Sequence, residues 1–141
     1  MVRKRVIVDT NIVISGLLSS KGASARILDL WIRGQFIAIT SKDIENEYVS
    51  ALQYHRIKKR LGESLNEAVS LLKQLISKGE RIKVKSKLKI FSDPKDDIFI
   101  QTAVDGSADS IVTGDLVMLK VVSHNNILIM SPSQFIYGFD E

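Results

Sequence analysis

The sequence predicts a three-layer α/β/α fold, in which one central parallel sheet of five strands carries helices on both faces. Three observations lead there. Short apolar runs rich in β-branched residues alternate with stretches of helical spacing along the chain. No Pro/Gly/Ser-rich linker, low-complexity tract or internal repeat divides it, so residues 1–141 read as a single domain. Acidic residues follow several of the apolar runs, and ligands of such sheets bind beyond the carboxyl ends of the strands.

The first strand is the run from Arg5 to Val8, ending at Asp9. Helical spacing then covers Thr10 to Leu18 and Ser24 to Gly34, where Ile27, Leu28, Trp31 and Ile32 form an apolar stripe and Gly34 supplies a stop. Phe36 to Thr40 is the second strand. Ser41 is placed to N-cap a helix that passes through Glu47 to about Tyr54. The clearest helix is Glu63 to Lys78, whose residues Leu65, Ala68, Val69, Leu72, Leu75 and Ile76 share one face before Gly79. From Arg81 to Ile90 the pattern switches to strict alternation. Arg81, Lys83, Lys85, Lys87 and Lys89 fall on one side and Ile82, Val84, Ser86, Leu88 and Ile90 on the other, the period of a half-buried third strand at least over its first part. Ser92-Asp93-Pro94 signals a turn and helix start, and Asp96 to Val104 is the helix. Ser110 to Thr113 and Ile127 to Met130 are the last two strands, and Ser131-Pro132 opens a terminal helix.

Composition narrows the chemistry. Apolar residues make up 45% and charged residues 26%, an ordinary globular profile. Twenty Lys and Arg against sixteen Asp and Glu leave a formal charge of +4, a tilt toward polyanionic partners. The absence of cysteine excludes disulfides, thiolate zinc sites and cysteine nucleophiles. His55 and His124 stand far apart with no second ligand nearby, which argues against a histidine zinc site. No apolar stretch approaches the ~20 residues of a membrane span. The start, MVRKRVIVDTN, has no long apolar segment with a cleavage site, so a cytoplasmic protein is expected.

What remains is oxygen chemistry. Asp9 closes the first strand, Asp115 follows the fourth, Glu47 lies about two turns into the helix after the second, and Asp93, Asp96 and Asp97 open the helix before the fourth. All can reach one end of the sheet. Clustered carboxylates raise one another's pKa, and hard divalent cations such as Mg²⁺ or Mn²⁺ remove that cost. Such ions acidify bound water and stabilise charge on a scissile phosphate. Each acid also has a plainer reading. Asp9 can cap the following helix, Asp93 is best read as an N-cap before Pro94, and Asp97 can complement the helix dipole. Glu47 can be a solvated helix face, and Asp115 a turn residue after Gly114. The metal reading rests on their convergence.

Four ordered motifs resemble the PIN-domain family. VIVDTNIVISGLL resembles its opening strand and helix, with Asp followed by Thr and Asn. IENEYVSAL resembles its second motif, and DPKDDIFIQTAVDGSADSIVTGD its third and fourth. SKDIENEYVSAL together with DPKDD is most similar to the VapC-like branch of toxin–antitoxin nucleases. The resemblance implies metal ligation by Asp9, Glu47, Asp96 and Asp115. Thr10 and Asn11 would steady the first ligand, and Thr113 is the polar residue before the fourth. Asp97 competes with Asp96 for the third position, and Ala103, seven residues after Asp96, favours Asp96. It further implies a ribonuclease that hydrolyses RNA with metal-activated water and leaves a 5′-phosphate. An antitoxin partner and a homodimer are also implied.

Basic residues supply candidate RNA contacts. Arg56, Lys58, Lys59 and Arg60 follow the Glu47 helix, in a position where PIN-like folds overhang the active-site groove; a solvated helix end is the competing reading. The lysines between Arg81 and Lys89 are better read as protection of an exposed sheet edge. Trp31 and Phe36 belong to the core. Two rival functions are a phosphatase or phospho-acceptor with Asp9 as nucleophile, and a non-catalytic RNA-binding or ribosome-associated PIN module. The first lacks a phosphate-holding lysine at the matching strand end, although Lys120 is nearby. A complete acidic set opposes the second, because bare carboxylates repel phosphate.

Overall fold

A computed structural model describes residues 3–140. The element order is β1 (Arg5–Val8), α1 (Thr10–Leu18), α2 (Ala23–Ile32), β2 (Ile37–Thr40), α3 (Lys42–Leu52), α4 (His55–Leu61), α5 (Leu65–Lys78), β3 (Glu80–Arg81), α6 (Pro94–Asp105), β4 (Ser110–Val112), α7 (Leu116–Leu119), β5 (Ser123–His124), β6 (Ile127–Met130) and α8 (Pro132–Asp140), with a single 3₁₀ turn at Gly62–Ser64. The sheet order is β3-β2-β1-β4-β6-β5. All neighbours run parallel except β5, which pairs antiparallel with β6 through Ser123 opposite Leu128 and His124 opposite Ile127.

The order places β2 on one side of β1 and β4 on the other. Right-handed crossovers therefore send α1 to α5 to one face and α6 to the opposite face. The contacts agree: α1, α2, α3 and α5 pack on one another, α8 joins α2, and α6 lies over β1, β2 and β4. The strands are apolar because both faces are covered. Val6, Ile7, Val8, Ile39, Ile111 and Val112 are essentially inaccessible, as are Trp31 and Phe36. Between α1 and α2 the approach is close enough to need glycine. A Cβ on Gly16 would stand 2.5 Å from Leu28 Cδ1 and 3.0 Å from the Ser24 carbonyl oxygen.

Two expectations require correction. The sheet has six strands, not five, because Ser123–His124 forms a short edge strand ahead of β6. Its two-residue connection, Asn125-Asn126, has both residues at positive φ (49° and 66°), the backbone of a tight hairpin that Asn tolerates. The third strand is far shorter than the alternation from Arg81 to Ile90 implied. Only Glu80 and Arg81 join the ladder, opposite Ile39 and Thr40. The Ile82 N–H makes the last bond to the sheet, to the Thr40 carbonyl (2.8 Å), and from Lys83 onward the chain keeps its alternating exposure but leaves the sheet. Its backbone is taken up instead by α6. Asp105 accepts from the N–H groups of Lys85 (2.5 Å) and Ser86 (2.8 Å), Gln101 donates to the Leu88 carbonyl (3.0 Å), and Asp97 accepts from Ile90 and Phe91 (both 2.8 Å). Residues 97, 101 and 105 lie one helical turn apart, so a single stripe of α6 holds the segment, although each carboxylate takes two consecutive N–H groups where a strand partner would take alternate ones.

Candidate active site

The β1/β4 junction is where the strand order reverses, and the crevice beyond it is the expected ligand position. A cavity of about 570 Å³ opens there. Asp9 enters it from the end of β1, Glu47 from α3, Asp96 from the first turn of α6, and Asp115 from the residue that caps α7. Thr10, Asn11 and Asp93 also line it. Asp93 performs the capping expected of it, accepting from Lys95 N–H at 3.0 Å.

Asp9 is the anchored member. It is 7% exposed, and its two carboxylate oxygens are held separately. Thr10 N–H donates to Oδ1 at 2.7 Å and the Thr113 hydroxyl donates to Oδ2 at 2.6 Å. Thr113 is wholly buried, and its oxygen in turn accepts from the Asp115 N–H at 3.0 Å. A single hydroxyl thus ties the end of β1 to the turn carrying Asp115. Tyr48 fixes the same corner from α3, its hydroxyl donating to the Val8 carbonyl. Burial raises the Asp9 pKa, with the charges of Asp115 and Glu47 adding to it; the bonds from Thr113 and Thr10 oppose that rise. Asp96 is pushed up to about 6, first by desolvation and then by Asp115, Asp93, Asp9 and Asp97. The carboxylates therefore feel one another as like charges in one compartment.

The adjacent acids of α6 separate cleanly. Consecutive residues on a helix point about 100° apart. Asp96 faces the cavity, whereas Asp97 is 4% exposed, does not line it, and is committed to the backbone of Ile90 and Phe91. Asp97 is a clamp for the preceding segment. The same rotation separates acids on α3. Glu45, two residues before Glu47, is buried against Arg81 and accepts the Thr40 hydroxyl at 2.8 Å. Burial alone would raise its pKa, but the bonds from Arg81 and Thr40 lower it.

The supporting residues divide too. The Thr10 contact to Asp9 is made by its backbone, and its hydroxyl is buried with no partner among the described residues. Asn11 lines the cavity without bonding to Asp9. The basic segment expected as a helix end is a helix of its own, α4, and its periodicity sorts the cations. Ile57 and Leu61 turn inward, Arg56 and Arg60 line the cavity, and Lys58 and Lys59 are exposed elsewhere. Lys95 adds a third cation to the rim, and Tyr54, 51% exposed, an aromatic ring. Sequence reasoning missed both, although Tyr54 directly precedes the basic helix and Lys95 directly precedes Asp96. Neither histidine contributes to the cavity lining.

The donors present suit a hard cation: carboxylate oxygens and the unpartnered Thr10 hydroxyl, with no sulfur or imidazole. Among the described residues, no group of three or more Asp, Glu or His side chains stands close enough together to hold a metal ion.

A model of the PIN domain matches residues 5–116, a span that includes Asp9, Glu47, Asp96 and Asp115. An uncharacterized protein of Methanocaldococcus jannaschii is 26% identical over 148 aligned residues, covering 99% of this chain and 94% of the relative. No solved structure gives a significant match. Among the described residues no helix is long and apolar enough to cross a membrane. Matched over most of its length and built on the fold that the motifs led us to expect, the chain belongs to the PIN-domain family, whose members are generally nucleases.

Proposed function

We propose that this protein is a divalent-metal-dependent ribonuclease, with Mg²⁺ or Mn²⁺ held by Asp9, Glu47, Asp96 and Asp115. One observation carries the reading: acids contributed by four separate elements line one cavity at the sheet's switch point, and Arg56, Arg60 and Lys95 line the same cavity. A purely structural role explains none of the four together, because mutual repulsion makes their assembly costly. When bound, a divalent cation neutralises that charge and lowers the pKa of a coordinated water toward the neutral range.

The chain's own groups have distinct tasks in this reading. Thr113 and the Thr10 N–H hold both oxygens of Asp9, which fixes its carboxylate before any ligand arrives. The Asp96 carboxyl, held at about 6 by burial and the neighbouring acids, is mostly ionised at neutral pH and would serve there as a ligand for the cation. Arg56 and Arg60 present guanidinium forks to the phosphodiester backbone, with Lys58 and Lys59 adding charge farther out. Tyr54 offers a ring for an unpaired base. RNA as the substrate, and the part of toxin in a pair with an antitoxin, are supported by the VapC-like motifs.

End-labelled single-stranded RNA incubated with Mn²⁺ or Mg²⁺ tests the reading. Cleavage to 5′-phosphate products, abolished by EDTA and reduced at least 100-fold in Asp9→Asn, is expected. Cleavage that survives Asp9→Asn overturns it. Growth arrest on expression, absent for Asp9→Asn, tests the toxin role.

A further inference from the structure

The lysines between Arg81 and Lys89 lost their simplest explanation when the segment left the sheet. Protection of a sheet edge requires an edge, and the last bond to β2 is made by the Ile82 N–H, ahead of all four lysines. The two residues on that edge are already paired, Glu80 with Arg5 and Arg81 with Glu45. Beyond them, Lys83, Lys85, Lys87 and Lys89 are all exposed, while the residues between them are at least partly covered up to Leu88. Lys85 lies in the field of Asp105. Lys83, Lys87 and Lys89 have no ion-pair partner among the described residues.

Their spacing and mounting are specific. Residues 83, 85, 87 and 89 are exposed and those between them partly covered, which sets the four lysines along one side of the segment. The row is stiffened from beneath: Asp105, Gln101 and Asp97 bind the backbone at Lys85, Ser86, Leu88, Ile90 and Phe91, and the Ser86 hydroxyl also donates to Asp105 at 2.5 Å. The segment runs antiparallel to α6, so its lysines climb from the C-terminal end of the helix toward its first turn. That turn carries Lys95 and Asp96, which line the cavity. The row therefore approaches the carboxylates and is tied to the helix that bears one of them.

We propose that Lys83, Lys87 and Lys89, with Lys85, form a rail that holds the phosphate backbone of single-stranded RNA outside the cavity and leads the strand to it. The proposal rests on the nuclease reading for the identity of the strand, while its charge pattern and its mounting are independent of that reading. A rail of this kind adds affinity for long strands without touching the bond that is cut. Each phosphate neutralised on a single strand contributes about 0.7 to the slope of log K against log salt.

The test compares wild type with the triple variant Lys83→Gln/Lys87→Gln/Lys89→Gln. Fluorescein-labelled oligouridylates of 20 and 6 nucleotides are used in EDTA for binding and in Mn²⁺ for cleavage. For the 20-mer, the variant is expected to lose about tenfold or more in affinity at low salt, with a salt slope shallower by about 2. Its kcat on the 6-mer should equal that of wild type, which also shows that it folds. Equal affinity and equal slope for the 20-mer overturn the rail. Lost binding of polyglutamate with unchanged RNA binding also overturns it, reassigning the row to an acidic protein. Lysine-dependent RNA binding without any cleavage by wild type leaves the rail standing and removes the nuclease reading instead.

Discussion

The Thr113 hydroxyl reaches across the β1/β4 pair to Asp9 Oδ2 at 2.6 Å, and its oxygen receives the Asp115 N–H at 3.0 Å. Two acids more than a hundred residues apart in sequence are positioned by one buried side chain. Thr113→Val keeps the shape and removes both bonds. Stability should fall by about 1–2 kcal/mol in urea unfolding. Mn²⁺ affinity should weaken by about 10–100-fold in calorimetric titration. Unchanged metal affinity would show that the hydroxyl serves the fold alone.

Glu45 and Glu47 should respond in opposite ways. Glu45→Gln weakens the pairing with Arg81 and disturbs the Thr40 bond, so it should cost about 1–3 kcal/mol while leaving RNA cleavage near wild type at low temperature. Glu47→Gln should leave the urea midpoint within about 0.5 kcal/mol of wild type and reduce cleavage at least 100-fold. Matching profiles for the two variants would dissolve the distinction.

The raised carboxyls set a pH dependence with a definite sign. Asp96 binds its proton more tightly folded, with a pKa of about 6, than unfolded, at 3.8, and Asp9 is shifted in the same direction. The folded state therefore holds more protons across that window, and stability falls as pH rises from about 4 to about 6. Glu45, Glu80 and Asp105 are shifted downward and oppose this only below the ordinary carboxylate range. In EDTA, Tm should be higher at pH 5 than at pH 7.5. Millimolar Mn²⁺ should raise Tm at pH 7.5 and do so much less at pH 5. Asp96→Asn should flatten the EDTA profile; a profile that is already flat in wild type contradicts the electrostatic picture.

Asp105 stands far from the cavity and holds three groups of the segment between β3 and α6. Asp105→Ala should lower stability by about 1–3 kcal/mol. Limited trypsinolysis should then cut first between Lys83 and Lys89, at a rate well above wild type. If amide exchange at Lys85 and Ser86 is as slow as in wild type, the clamp is not what orders the segment.

Where periodicity and burial reinforced each other, structure was legible in the sequence. The strands ending in Asp9 and Thr40, the Ser41 cap and the long amphipathic α5 all follow from local pattern. The alternation from Arg81 to Ile90 was read as a strand at least over its first part, and only that first part joins the sheet. Alternation reports only that one side is covered, and here the cover and the hydrogen bonds come from helix side chains spaced at Asp97, Gln101 and Asp105. That four-residue spacing was visible but had no meaning until its partner was known. The β5–β6 hairpin was announced only by Asn125-Asn126, because two-residue strands carry no period. In the cavity, the choice between Asp96 and Asp97, and between Arg56 and its lysine neighbours, depends on helix rotation. A sequence fixes rotation only when the buried face is known.

The division of labour between Asp96 and Asp97 bears on how this chain tolerates change. Two identical residues in tandem look like a spare and an original, yet neither can deputise for the other. Turning Asp97 into the cavity would strand the N–H groups of Ile90 and Phe91, while turning Asp96 outward would carry its charge away from the other acids. A deletion or insertion of one residue at this point would not exchange their roles but abolish both. The pair is a reading frame written in protein, and α6 keeps it.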